Sequence, residues 1–144
     1  MTAGRREAGN APLELMVLAP VILLLICLVI AAGRTTIAQG SVDAAARDAA
    51  RQASVARSPE AAVAAAYASA RSELSGESLN CTPVIRLPRV YRDFAARVGT
   101  PAAVTAQVTC TVSLADLLIP GLPGSKTLRA SFTSPIDPYR GRTS

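Results

Sequence analysis

The feature that most constrains this chain is an uninterrupted apolar run close to its N-terminus. Residues 15–33 read LMVLAPVILLLICLVIAAG, nineteen residues without a charged side chain. At 1.5 Å per residue, a helix of this length spans roughly 29 Å, about the thickness of the hydrocarbon core of a bilayer. The run predicts one transmembrane helix within residues 10–33, with the lipid bilayer as its partner. The alternative is a secretory signal peptide, whose apolar region is shorter, roughly 7–15 residues, and ends at a cleavage site.

Composition limits the functions that the rest of the chain can have. The 144 residues include no histidine, which removes the usual general base and the commonest zinc ligand. The formal net charge is +5, but the arginines are scattered and only 3% of residues are aromatic, so the composition does not indicate nucleic-acid binding. We therefore predict a protein that is not an enzyme, with no cofactor, no metal, no small-molecule substrate and no nucleic-acid partner.

Two residues inside the apolar run have specific expectations. Pro20 removes a backbone hydrogen bond, so it predicts a kink in the helix. Cys27 is interpreted as a small apolar filler in preference to a redox or acylation site.

The residues in front of the apolar run form a second pattern. Arg5 and Arg6 come first, Gly9 and Asn10 follow, and Glu14 lies five positions after Gly9. Taken alone, the Glu14 carboxylate could simply lie at the membrane interface near a helix N-terminus, where the helix dipole favours a negative charge.

Taken together, the basic residues, the glycine, the carboxylate and the long apolar helix with an early proline resemble the class III signal of type IV pilin-like proteins. The closest resemblance is to the TadE-like (TadE/TadG) pseudopilin family of the tight-adherence, or Flp pilus, system. Gly33-Arg34 and the Ala/Arg-rich stretch 43–51 fit that family as well.

The resemblance implies how the N-terminus is processed and used. A prepilin peptidase would cut between Gly9 and Asn10 on the cytoplasmic side, and Glu14 would be the assembly carboxylate that helps subunits register. The implied partners are this peptidase, other pilin-like subunits and an assembly platform.

Beyond the membrane the helical pattern continues. Small residues recur at heptad spacing, which predicts a packing seam: Ala38, Val42, Ala45, Ala49, Gln52 and Ala56. The seam could pack on sister subunits or on the C-terminal domain of the same chain. Ser58 followed by Pro59 and Glu60 predicts a new helix that ends near Gly76, joined to the first by a bend or a hairpin.

After Gly76 the pattern changes to period-two alternation, which predicts a small antiparallel sheet. The best strand places six residues on one face: Val104, Ala106, Val108, Cys110, Val112 and Leu114. Residues 83–91 and 126–133 are the weaker strand candidates. The apolar residues 117–122 predict a loop that either caps the sheet or meets a partner.

Cys81 and Cys110 lie 29 positions apart around this sheet. They are either a disulfide or two unrelated buried thiols, and the even number of cysteines outside the apolar run favours the disulfide. Because disulfides persist in oxidising compartments, this bond would place the C-terminal domain outside the cytoplasm and the N-terminus inside.

We therefore predict an α+β fold in which a single N-terminal transmembrane helix extends into a long Ala-rich helix, followed by a second helix and a small β-module with one disulfide. The expected divisions are a basic cytoplasmic leader (1–9), the transmembrane helix (10–33), extracytoplasmic helices (34–76), the β-module (77–134) and a flexible tail (135–144). The predicted function is a non-catalytic minor pilin or pseudopilin subunit in the cell membrane of a bacterium. The chain uses arginine in preference to lysine, which is typical of a high-GC genome. The alternative is a membrane-anchored extracellular binding module with the helix as a mere tether.

Overall fold

The computed structural model describes residues 11–76, 80–117 and 123–139. Its first element, α1 (Ala11–Val55), is a single helix of 45 residues that contains the whole apolar run and the alanine-rich stretch behind it. The predicted extension of the apolar helix beyond residue 33 is confirmed.

A second helix, α2 (Pro59–Gly76), follows after a connection of three residues and packs along α1. Ser58 begins it as expected, because its hydroxyl accepts a hydrogen bond from the backbone N–H of Ala61 at 3.2 Å. Pro59, at the first helical position, needs no N–H partner there. The short connection and the side-by-side packing show that α1 and α2 form a hairpin.

The C-terminal part contains the predicted three-stranded antiparallel sheet. Its strands are β1 (Val84–Arg86), β2 (Ala102–Ser113) and β3 (Ser125–Ile136), arranged in the order β1-β2-β3. The long pairing of β2 with β3 runs from Ala102 opposite Ile136 to Ser113 opposite Ser125. On the outer face, threonine hydroxyls pair across these strands, Thr105 with Thr133 at 2.9 Å and Thr111 with Thr127 at 3.3 Å. The predicted fold class is therefore confirmed.

The core lies between the inner face of the sheet and the α1/α2 hairpin. Five of the six residues predicted on one face of β2, from Val104 to Val112, are buried there. They belong to one buried cluster with the alanines of α1 and α2: Ala38, Ala45, Ala46, Ala49, Ala50, Ala53, Ala62, Ala66 and Ala70. The heptad seam of α1 thus packs on the chain's own domain, although Gln52 is exposed.

The structure corrects the strand predicted for residues 83–91. Only Val84–Arg86 is extended, and a short helix, α3 (Val90–Phe94), takes up the end of that range. Pro88 lacks the N–H that a strand would require, and Arg89 has a positive φ of 68°, so the chain turns there. The sequence pattern does not distinguish a strand from a helix here, because the spacing of the buried residues Val90 and Phe94 fits both.

The strand predicted through Leu114 also ends one residue early. Leu114 is the first residue of a one-turn helix, α4 (Leu114–Leu117), and the Ser113 hydroxyl accepts a hydrogen bond from the N–H of Ala115 at 3.1 Å. Gly124 closes the turn with a φ of +126°, and a side chain there would collide with Leu114. Residues 118–122 of the predicted loop lie outside the described part. At the other end, β3 includes Pro135 and Ile136, the first two residues of the expected tail.

Candidate functional site

The apolar segment of α1, residues 15–33, leaves nearly all its side chains exposed. The large apolar side chains from Leu15 to Ile30 are exposed by 48% at Ile22 to 80% at Met16, all around the helix. By length and composition this is a candidate membrane span, and none of its most apolar stretch is buried by the rest of the chain. Apolar surface this extensive is typical of a segment that meets lipid or other protein.

Polar groups at the end of the apolar segment satisfy their hydrogen bonds within the helix. The hydroxyl of Thr35 donates to the carbonyls of Ala31 and Ala32 at 2.8 and 2.9 Å. Thr36 does the same with Ala32 and Gly33 at 2.9 and 2.8 Å. Such bonds let hydroxyls sit at the edge of an apolar phase without needing water.

The residues predicted to be processed lie at the margin of the described chain. Gly9 and Asn10 are outside the described residues. Glu14 lies in α1, one position before the apolar segment begins at Leu15, and Pro20 lies inside the helix, which continues on both sides of it. The cleavage, the role of Glu14 and the kink at Pro20 stay predictions.

The predicted pair of cysteines is joined. Cys81 and Cys110 form a disulfide whose Cα atoms are 5.7 Å apart. Cys110 is fully buried on the inner face of β2, and Cys81 stands just before β1, so the bond ties the edge of the sheet to its centre. Cys27 is a free, exposed cysteine in the apolar segment.

The concave surfaces of the module are open depressions. One of about 420 Å³ lies on the outer face of the sheet and is lined by Val84, Arg86, Gln107, Thr109 and Arg129. Two guanidinium groups, an amide and a hydroxyl can bind hydrogen-bond acceptors, but they do not make a nucleophile and base pair. In the described ranges, no three metal-ligating His, Cys, Asp or Glu side chains come together.

Several contacts that hold α1 against the sheet had not been predicted. The hydroxyl of Ser134 donates to that of Ser54 at 3.0 Å, and Ser54 donates to the carbonyl of Arg51 at 2.8 Å, both serines being buried. The guanidinium of Arg47 lies 5.8 Å from the ring centre of Phe132, which is a cation–π distance. Ser54 lies two positions before the seam residue Ala56, but nothing in the sequence relates it to a serine 80 residues away.

Comparison with known proteins addresses the N-terminal part of the chain. The family model described as "TadE-like protein" matches residues 9–51. This stretch begins at Gly9, contains Glu14 and the apolar segment, and ends at Arg51, before the second helix starts. No curated protein and no solved structure gives a significant match. The first part of the chain, residues 9–51, is therefore a TadE-like segment, in agreement with the family that the leader and the apolar helix resemble.

Proposed function

We propose that this chain is a non-catalytic minor pseudopilin of a tight-adherence (Flp pilus) or related secretion-type apparatus. The observation that carries the proposal is the TadE-like match over residues 9–51, which connects the chain with the Tad pilus system in general. The finer role, a processed subunit that packs with other pilin-like subunits, is supported by the way α1 is divided.

The division of α1 leaves one part of the helix available for assembly. The alanine segment, residues 38–55, is occupied by the chain's own α2 and sheet. The apolar segment has no such partner along its length from Leu15 to Ile30. Contacts with neighbouring subunits would therefore use the apolar segment, first within the membrane and then within the assembled structure.

Glu14 suits a registering role because of its position. A carboxylate beside an apolar helix is costly to remove from water unless it meets a cation or hydrogen-bond donors. The aliphatic side chains of two neighbouring apolar segments do not by themselves specify an axial offset between the helices. A neighbouring subunit that supplies a partner for Glu14 at a single position along its helix would fix that offset.

The disulfide supports the proposed topology. A bond between Cys81 and Cys110 persists in an oxidising compartment, which favours a module outside the cytoplasm and a leader inside. A prepilin peptidase acting between Gly9 and Asn10 from the cytoplasmic side fits this orientation.

Mass spectrometry of the N-terminus tests the proposal. The protein is purified from membranes of cells that also express its own prepilin peptidase, and we expect a mature chain that starts at Asn10. Gly9→Leu should abolish this cleavage, whereas Gly4→Leu, the same change in the same leader, should leave it intact. An uncut chain, or one trimmed after the apolar segment, would instead indicate a tether or a signal peptide.

A second pair of variants tests Glu14. Glu14→Ala should be cleaved normally but crosslink less to neighbouring pilin-like subunits. Glu7→Ala, a carboxylate that leaves with the leader, should crosslink as the unchanged protein does. Equal crosslinking of both variants would show that Glu14 is only an interfacial residue.

A further inference from the structure

Two hydrogen bonds show the height of the β-module along α1. The side-chain amide of Gln39 donates to the carbonyl of Arg129 at 3.0 Å, and fifteen residues further along α1 Ser54 meets Ser134 at 3.0 Å. Residue numbers rise together in α1 and β3, so the strand runs beside the helix in the same direction. The start of β3 is therefore the end of the strand that lies nearest the apolar segment.

The same contacts indicate how far down the sheet reaches. Lys126 precedes Arg129 by three residues, which is about 10 Å along a strand. Along α1, about 10 Å towards the apolar segment corresponds to roughly seven residues, so Lys126 is level with the neighbourhood of Ala32. The lower end of the sheet, where Ser125 pairs with Ser113, is thus level with the last residues of the apolar segment.

Two further observations agree with this height. The short helix α4, at the lower end of β2, also lies close to α1. Ala31 is only 8% exposed, although its neighbours Ile30 and Ala32 in the same helix are exposed. The fold thus covers α1 slightly below Gly33, and no free linker separates the module from the apolar segment.

The exposed side chains of this lower edge carry positive charge. Arg34 lies about one helical turn from each of the buried residues Ala31 and Ala38, and Lys126 is exposed at the start of β3. The sequence of the β2–β3 connection, residues 114–124, contains one carboxylate, Asp116, against the two cations Arg34 and Lys126. Cations at this height meet the headgroup layer, where lipid phosphates are the complementary groups.

We propose that this lower edge, formed by Arg34 and Lys126, rests on the membrane that α1 spans and binds the phosphates of its anionic lipid headgroups. Contacts on both the helix and the strand give the module one orientation on the bilayer instead of letting it swing. The inference depends on α1 being a membrane span, and it is independent of cleavage at Gly9 and of any role in a pilus.

Lys126 allows a direct test because it is the only lysine in the chain. The full-length protein carrying Arg97→Lys is placed in nanodiscs of phosphatidylcholine, or of phosphatidylcholine mixed with phosphatidylglycerol. An amine-reactive reagent is added, and mass spectrometry follows the modification rate at each position. Position 97 is a matched control, because it is exposed and near Pro138, whose carbonyl accepts a hydrogen bond from Gly99 at the opposite end of β3.

We expect the anionic lipid to slow modification of Lys126 about fivefold, the effect of one cation held at an anionic surface. The amine introduced by Arg97→Lys should change much less, and high salt should remove the difference. Adding Arg34→Gln should also reduce the protection of Lys126. Equal rates at Lys126 in both lipids, or the same slowing at both positions, would overturn the proposal.

Discussion

The two segments of α1 belong to one continuous helix but differ in the size and the burial of their side chains. The apolar segment carries the largest aliphatic side chains of the helix and exposes them, whereas the alanine segment carries the smallest and buries them. Leu24 is 69% exposed and Ala45 is 0% exposed, although leucine is by far the more hydrophobic. Close packing therefore decides which residues are buried within this chain. Hydropathy instead identifies the part of the helix that would leave water by entering a membrane or meeting another protein.

The alanine segment also shows how a small module can pack with few large side chains. Alanines on α1 face alanines on α2, such as Ala62 and Ala66, so the two helix backbones can approach closely. The two largest fully buried side chains, Phe94 and Leu128, come from α3 and β3. Each alanine buries little area, so the stability of the module depends strongly on fit and on its disulfide.

The largest contrast should come from charges placed in the apolar segment. We expect Leu23→Arg combined with Leu24→Arg to cost about 6 kcal/mol of membrane insertion, about 3 kcal/mol for each arginine at the centre of the span. Most of the protein should then become extractable from membranes by alkaline carbonate. The urea midpoint of the module should not change, because these side chains contact nothing in it.

Leu23→Met combined with Leu24→Met is the matched control and should remain membrane-integrated. If the arginine variant stayed in the membrane, or if the module lost stability, the apolar segment would not be the independent membrane span described above.

The next effect concerns the module alone. Removing the disulfide with Cys81→Ser and Cys110→Ser opens a loop of 29 residues, and chain entropy predicts a loss of about 3–4 kcal/mol in the free energy of unfolding. Pulse proteolysis in urea, on protein in nanodiscs, measures it. Membrane integration should be unaffected. This variant would thus change the stability of the module without changing the apolar segment, the reverse of the arginine variant.

Cys27→Ser provides the control, since Cys27 is unpaired and lies in the apolar segment. Its unfolding midpoint should equal that of the unchanged protein. A disulfide variant with an unchanged midpoint would mean that the α1/α2 packing alone holds the module together.

The parts of this fold that the sequence predicts are those with long periodic signals. Nineteen apolar residues, an alanine seam and eleven alternating residues from Val104 to Leu114 each specify one element over several turns or pairs. The cysteine pair was predicted for a different reason, because few sulfurs were available to choose from. These signals are local, and local geometry is what residue spacing encodes.

What could not be predicted depends on contacts distant in sequence or on single residues. Pattern alone left the seam with two partners, because alanines pack equally well on a sister helix or on the same chain. The short helices α3 and α4 arise from Pro88 and Arg89 and from the Ser113 turn, which interrupt otherwise strand-like residues. The same limit applies to the candidate membrane edge, whose height became visible only through the contacts of Gln39 and Ser54.

The smallest and most selective effect tests the close packing of the alanine segment. Ala45 is fully buried where α1 meets the rest of the module, and Ala44, its neighbour in the same helix turn, is exposed. Ala45→Leu forces three extra carbons into that contact, so we expect a loss of about 1–3 kcal/mol in the free energy of unfolding. Ala44→Leu adds the same carbons to the solvent side and should be close to neutral, because leucine and alanine have similar helix propensities. Pulse proteolysis in urea compares the two variants on the same scale. If both were neutral, the alanine segment would not be packed against its own module, and a sister subunit would again become the partner to consider for the seam.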